Sequence, residues 1–293
     1  MAFDIALDIR AELGESPVWS TAEQTLYFVD IKGQSIHAFR PGTGVHQRIV
    51  VPEDIGCIGL RHGGGFIAGL RSGIWLIGAE GTLERKLADN PEDTTNSRFN
   101  DGKVAPGNRF MLGTIDEQRR GQTASIYRYH DGRLEAVASG LTTSNGLAFS
   151  PDGRTLYHSD TPRRTVWRRD YQPDTGALGD PSVFIQTREE DGRPDGAAVD
   201  AEGCYWVALY VGGRVRRYSP DGRLLEEHLL PVRCPTMVAF GGADLRTLYV
   251  TSARAGRSDD ELQAHPHSGS LFSMAVTVPG LPAVAFDASR EMQ

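Results

Sequence analysis

Six residues spread along the chain stand at equivalent places in a recurring pattern: Glu15, Gly56, Asn100, Asn145, Asp195 and Thr236. Each opens a short apolar run, which is followed by a turn and then by a β-rich run. Four of the six carry a side-chain oxygen suited to a metal. Two of these four are carboxylates, and carboxylates brought together repel each other unless a proton or a cation lies between them. Glu15, Asn145 and Asp195, completed by water, form an all-oxygen donor set. Such a set suits one hard divalent cation: calcium, magnesium or manganese, with zinc and iron(II) as further options. The chemistry requires a fold that brings residues so distant in sequence to one point.

The stretch 143–157 shows the repeating unit most clearly. A polar and a small residue precede an apolar run, Pro151-Asp152-Gly153 makes a turn, and a second β-rich run follows. Asp-Gly between alternating apolar segments signals a hairpin, because glycine takes positive φ without steric cost. The plan recurs at 15–30, 56–70, 100–114, 195–209 and 236–251. That is six units at a spacing of about 40–50 residues, the range of propeller blades. Each unit continues with a third strand candidate, at 35–39, 74–77, 125–129, 165–168, 214–218 and 270–274. A fourth often follows a Gly turn, as at 131–137 and 221–226.

The pattern predicts a single all-β domain over residues 1–293, a six-bladed β-propeller in which the first strand of each blade lines a central channel. The last blade is one strand short, and the alternating residues 3–7 fill that place and close the ring. A β-sandwich does not force this repeat. Helix signals are weak, with one short turn expected at 258–263.

Composition narrows the partners. The formal charge of −7 and the lack of a basic block argue against nucleic acid. No apolar run is long enough to span a bilayer. The start carries no basic and apolar leader pattern, so a soluble cytoplasmic protein is expected. Cys57, Cys204 and Cys234 are an odd set without Cys-x-x-Cys spacing, expected as buried free thiols in a reducing compartment. There is no Gly-x-Ser-x-Gly elbow and no His-Glu-x-x-His, which removes the α/β-hydrolase and zincin readings. His265-Pro266-His267 reads as a solvated loop and Gly63-Gly64-Gly65 as a turn. His158 and Asp160 read as structural hydrogen-bonding groups at a strand end.

Several segments carry a resemblance: Leu13-Gly14-Glu15-Ser16-Pro17-Val18-Trp19, Arg98-Phe99-Asn100-Asp101-Gly102-Lys103-Val104, Ser144-Asn145-Gly146-Leu147-Ala148-Phe149-Ser150, Pro194-Asp195-Gly196-Ala197-Ala198-Val199-Asp200 and Thr251-Ser252-Ala253-Arg254. In them the chain resembles the gluconolactonase / senescence-marker-protein (regucalcin) family of six-bladed sugar lactonases. The resemblance implies that Glu15, Asn145 and Asp195 bind one divalent metal, that Asn100 lies beside it, and that Arg98 and Asn100 help hold the sugar. It also implies that Asp195 is the catalytic base. The region 115–123 resembles the family's substrate-covering loop, which makes Asp116, Glu117 and Gln118 expected substrate contacts. The implied reaction is hydrolysis of a pentono- or hexonolactone, with the metal as Lewis acid and no protein partner. Two alternatives stand beside it: a non-enzymatic calcium-binding or regulatory propeller, and an esterase or phosphotriesterase using the same metal centre with a roomier, more apolar mouth.

Overall fold

Runs rich in β-branched and aromatic residues, punctuated by Gly and Asp turns, form six four-stranded antiparallel sheets in the computed structural model, which describes residues 3–118 and 121–292. The inner strands are Gly14–Ser20, Ile55–Leu60, Ser97–Ala105, Ser144–Phe149, Arg193–Val199 and Pro235–Gly241. Each touches the inner strand of the next blade, and the sixth touches the first, so the ring is closed. The only α-helix among the described residues is Asp259–Ala264, with Ser258 accepting from Glu261 N at its start. Among the described residues no helix is long and apolar enough to cross a membrane.

A sheet of four short strands cannot bury both of its faces alone; stacking blades side by side solves this. The core is accordingly divided into six apolar seams, one between each pair of neighbouring blades. Val29 and Ile36 of the first blade meet Ile55 and Phe66 of the second, and Phe110 and Tyr129 of the third meet Ile67 and Leu76 of the second. Trp206 and Val215 of the fifth meet Phe240 and Leu248 of the sixth. Fully burying one such side chain contributes roughly 1.5–3 kcal/mol, and each seam loses its partners if either blade is absent. The three cysteines are free and buried.

The ring is tied together by both ends of the described chain, the N-terminal strand and Thr236 at the seam between the first and last blades. Asp4–Leu7 forms the outermost strand of the sixth blade, pairing Asp4 with Ser273 and Ile5 with Phe272. Thr236 Oγ1 of the last inner strand donates to Gly14 O of the first at 2.5 Å. At the other end, the segment after the last blade crosses the base of the ring. It bridges Asp200 with Gly280 and Arg61 with Phe286, and Tyr129 Oη donates to Glu291 Oε2 at 2.6 Å.

Recurring aspartates fasten the loops. Asp30 and Asp160 each end the second strand of a blade and accept backbone N–H groups, Glu12 and Leu13 for the former and Thr142 and Thr143 for the latter. His158 meets Arg169 Nε at 3.1 Å, and His265 lies in an exposed loop against Pro231 O.

Gly56 shows how tightly the blades meet at the axis. A Cβ there would stand 2.2 Å from Phe99 O and 2.9 Å from Asn100 O in the next blade. Gly56→Ala is expected to lower unfolding stability by about 1–3 kcal/mol in urea titration. Gly42→Ala, where a methyl meets open space, should stay within about 0.5 kcal/mol of wild type.

Candidate active site at the propeller axis

The inner strand of every blade breaks its ladder at one place. The register shifts between Glu15 and Val18, Ile55 and Cys57, Phe99 and Gly102, Asn145 and Ala148, Pro194 and Ala197, and Pro235 and Val238. A bulge bends its strand and re-aims the side chains there. All six opening residues predicted from the repeat fall at or inside these shifts. Local backbone makes this possible: Ser16 and Gly146, next to Glu15 and Asn145, have φ of 49° and 65°. Glycine is required at the second, where a Cβ would stand 2.5 Å from Tyr205 Oη. Two of the six openers have structural tasks, Gly56 admitting the neighbouring carbonyl and Thr236 tying the ring shut.

The other four are polar and buried, between 4% and 7% exposed. A directed chain of hydrogen bonds fixes their amides. Arg98 Nη1 donates to Asn100 Oδ1 at 2.8 Å and to Phe99 O at 3.0 Å. Asn100 Nδ2 then donates to Asn145 Oδ1 at 2.7 Å and to Ser144 O at 3.0 Å. Asn145 Nδ2 donates to Thr161 Oγ1 at 2.8 Å, and that hydroxyl donates to Pro194 O at 2.9 Å. Asn145 thereby keeps one lone pair of its amide oxygen open. Its amide also reaches the Asp195 carboxylate.

Electrostatics draws Glu15 and Asp195 into one site. Burial, then the Asp101 charge, pushes the Glu15 carboxyl up to about 8. Burial, then the charges of Glu15 and Asp101, holds Asp195 well above the usual carboxylate range. Asp101 itself is raised to about 6 by burial, against the Lys103 charge and the N–H groups of Leu147, Gly102 and Gly146. Lys103 Nζ donates to Ala197 O at 3.1 Å. Among the described residues no three His, Cys, Asp or Glu side chains form a metal cage, and the third member here is an amide. Two buried carboxyl groups that ionise together only beside a positive charge, with an oriented amide oxygen, suit a hard divalent cation.

At the mouth Arg98 Nε stands 3.4 Å from Glu117 Oε1. Glu117 also pairs with Lys32 at 3.0 Å and Arg71 at 2.8 Å, and both cations reach Asp54 Oδ2 at 2.8 Å. Burial acts to raise both acids, but hydrogen bonds from Lys32 and Arg71 win. Asp54 drops to about 2 and Glu117 falls below its ordinary value. Glu117, expected on sugar, thus spends its carboxylate on three cations. Gln118 donates to Asn96 Oδ1, and Asp116 accepts from Gln118 N and Gly121 N. Residues 119 and 120 of the expected covering loop lie outside the described residues. The sequence reading missed Asp101, Lys103 and Thr161 at the axis, and Lys32, Asp54 and Arg71 at the mouth. One signal was available: Lys32, Arg71, Glu117 and Thr161 all lie just past the second strand of a blade, where the turns edge the channel.

Beyond the openers the channel widens into a cavity of 470 Å³. Val18, Ile58, Val104, Phe149 and Met237 line it beside Lys103, and residues 281–284 of the segment crossing the base lie against it. The apolar end is therefore the one away from the charged mouth.

Fold and site together define a six-bladed propeller with an acidic, oxygen-lined centre on its axis. Residues 13–254 match the family described as SMP-30/Gluconolactonase/LRE-like region. The chain is 49% identical over 273 residues to a 6-deoxy-6-sulfogluconolactonase of Pseudomonas putida, covering 92% of each. It is 36% identical over 283 residues to a regucalcin of Xenopus laevis, covering 94% of this chain and 95% of that one. The solved structure of a calcium-binding protein, regucalcin, from Agrobacterium tumefaciens superposes with a TM-score of 0.92 at 28% identity over 96% of each chain. The chain belongs to the SMP-30/gluconolactonase/LRE-like family, and its enzymatic class is that of the lactonases, hydrolases of internal esters.

Both axial carboxyls hold protons more tightly in the folded protein than in the unfolded chain. Their contribution to stability is therefore full below the ordinary carboxyl value and is lost as pH rises through the folded one. In protein stripped of divalent cations, the Tm is expected to fall as pH rises from 4.5 to about 8, and Glu15→Gln should flatten the slope. A Glu15→Gln profile as steep as wild type would contradict this assignment.

Proposed function

We propose that the chain hydrolyses a sugar aldonolactone, of a pentonic or hexonic acid, to the free acid. In this reading Glu15, Asn145 and Asp195 hold one divalent cation, Asp195 is the general base, and Arg98 orients the sugar. The observation that carries it is the run from Arg98 through Asn100 and Asn145 to Thr161, which leaves an amide oxygen open beside two mutually repelling carboxyls. The substrate named for the Pseudomonas putida relative supports a hexonolactone as the first to try, with and without a sulfonate at the sixth carbon.

A lactone opens when water adds to its carbonyl and the ring C–O bond breaks. When bound, the cation supplies Lewis-acid polarisation of the carbonyl and offsets the negative charge of its ligands. The Asp195 carboxylate takes a proton from the attacking water and returns it to the ring oxygen as that oxygen leaves. Arg98 commits Nη1 to Asn100 and Phe99 and turns Nε toward Glu117, which leaves Nη2 for a substrate oxygen. Asn100 spends both amide hydrogens within the protein, so its part is to hold the Asn145 oxygen in place.

Asp195→Asn should lower kcat by about 10²–10⁴-fold with an unchanged far-ultraviolet dichroism spectrum; near-native turnover would remove Asp195 from the role of base. Chelation should abolish acid release from a panel of pentono- and hexonolactones. Adding back calcium, magnesium, manganese, zinc or iron(II) one at a time should restore it and rank the metals. Activity that survives thorough chelation would defeat the cation's role. Thr161→Val, which releases the Asn145 amide, should weaken apparent metal affinity about 10–100-fold, read from the activating metal concentration.

A further inference from the structure

We propose that Lys32, carried on a rim cluster with Arg71 and Arg98, binds an anionic group at the end of the lactone remote from its carbonyl. The group is a tetrahedral anion, a sulfonate or a phosphate ester. The inference rests on the lactone reading of the axial site.

Three cations from three blades converge here. Lys32 follows the strand Thr25–Asp30, Arg71 follows Phe66–Leu70, and Arg98 lies on the inner strand Ser97–Ala105. They share two carboxylates, Asp54 and Glu117, so the cluster keeps a net positive charge. Both acids are held ionised by hydrogen bonds from Lys32 and Arg71, against burial. They cannot relieve that charge further.

The three cations are not equivalent. Arg71 is spent on structure: Nη2 pairs with both acids, and Nη1 donates to Thr94 O at 3.0 Å and Ser97 O at 3.3 Å. Arg98 is almost wholly buried, its side chain 4% exposed, and faces the axis through Asn100. Lys32 is different. Its side chain is 40% exposed, and two of its three ammonium hydrogens go to Asp54 and Glu117. The third is left for solvent or a ligand.

Position gives this donor a purpose. Glu117 Oε1 touches both the Lys32 ammonium and the Arg98 guanidinium, and Arg98 in turn holds Asn100 against Asn145. A sugar lactone with its carbonyl at the axis and its ring beside Arg98 therefore directs its far carbon toward Lys32. A neutral hydroxymethyl group needs only a hydrogen-bonding partner there. An exposed ammonium with an N–H to give, backed by Arg71 and Arg98, matches an ionised group with several acceptor oxygens.

The test compares wild type, Lys32→Met and Lys32→Arg on gluconolactone, 6-deoxy-6-sulfogluconolactone and 6-phosphogluconolactone, with folding verified by thermal unfolding. Wild type should show a higher kcat/KM for one or both anionic lactones than for gluconolactone. That preference should shrink as salt rises, fall tenfold or more in Lys32→Met through KM, and largely return in Lys32→Arg. A greater preference for the sulfo over the phospho lactone assigns a sulfonate, and the reverse assigns a phosphate ester. A wild type that opens gluconolactone as efficiently as both anionic lactones, or a Lys32→Met variant that keeps the preference, overturns the proposal. Calorimetry with 6-deoxy-6-sulfogluconate and 6-phosphogluconate, the acid products, gives a readout independent of turnover. Binding should weaken at least tenfold in Lys32→Met, and equal affinity, or no binding to wild type, counts against the site. Failure of wild type to open any lactone tells against the lactonase reading itself, and product binding then decides the anion site alone.

Discussion

Two carboxyl groups buried near one axis cannot both ionise without a positive partner, and the surroundings of Glu15 and Asp195 are arranged around that constraint. The protein has cations close by, yet each is engaged elsewhere. Arg98 is turned to Asn100 and Glu117, and Lys103 stands with Asp101 against Ala197 O. The two carboxyls therefore hold protons until a cation takes their place, and burial makes charge interactions there strong. Farther out the acids behave oppositely: Asp54 and Glu117 are ionised against Lys32 and Arg71. From mouth to axis the channel thus runs, within a few side chains, from acids paired with cations to acids that hold their protons.

What places the acids is a repeated irregularity in otherwise regular sheets. Every blade needs an unbroken ladder along most of its length to hold its seam, and every inner strand gives that ladder up at the same level. Only some of the six bulges carry chemistry. At Gly56 the bulge makes room for the backbone of the next blade, and at Thr236 it supplies a hydroxyl that joins the last blade to the first. The sixfold frame is thus shared between structure and function, and the asymmetry of the site comes from which residue occupies each bulge.

The fold was legible because its signals are local and repeated. The Asp152-Gly153 turn, the runs at 25–30, 66–70 and 214–218, and the leftover strand near the N-terminus all sit where the pattern put them. The axial residues were legible for the same reason, since a common position in the repeat becomes a common depth in the ring. The mouth was less so. Glu117 was picked by its place in a loop resembling a covering segment; Lys32 and Arg71 share its place just past a second strand, but that shared place does not say that the three side chains pair across blades with Asp54. Thr161 was hidden differently. Its importance lies in one hydroxyl that orients another residue's amide, and its place just past a second strand marks the channel edge without announcing that bond.

The outermost strand of the sixth blade comes from the N-terminus, and this has a consequence for how the molecule is made. Asp4 and Ile5 find Ser273 and Phe272 only after nearly the whole chain has left the ribosome. Without that pairing the last sheet lacks its outer edge, and Ala6 and Leu7 leave the seam between the first and sixth blades. Closing the ring joins residues 4–7 to residues 271–273, a contact of very long sequence separation, which makes closure slow.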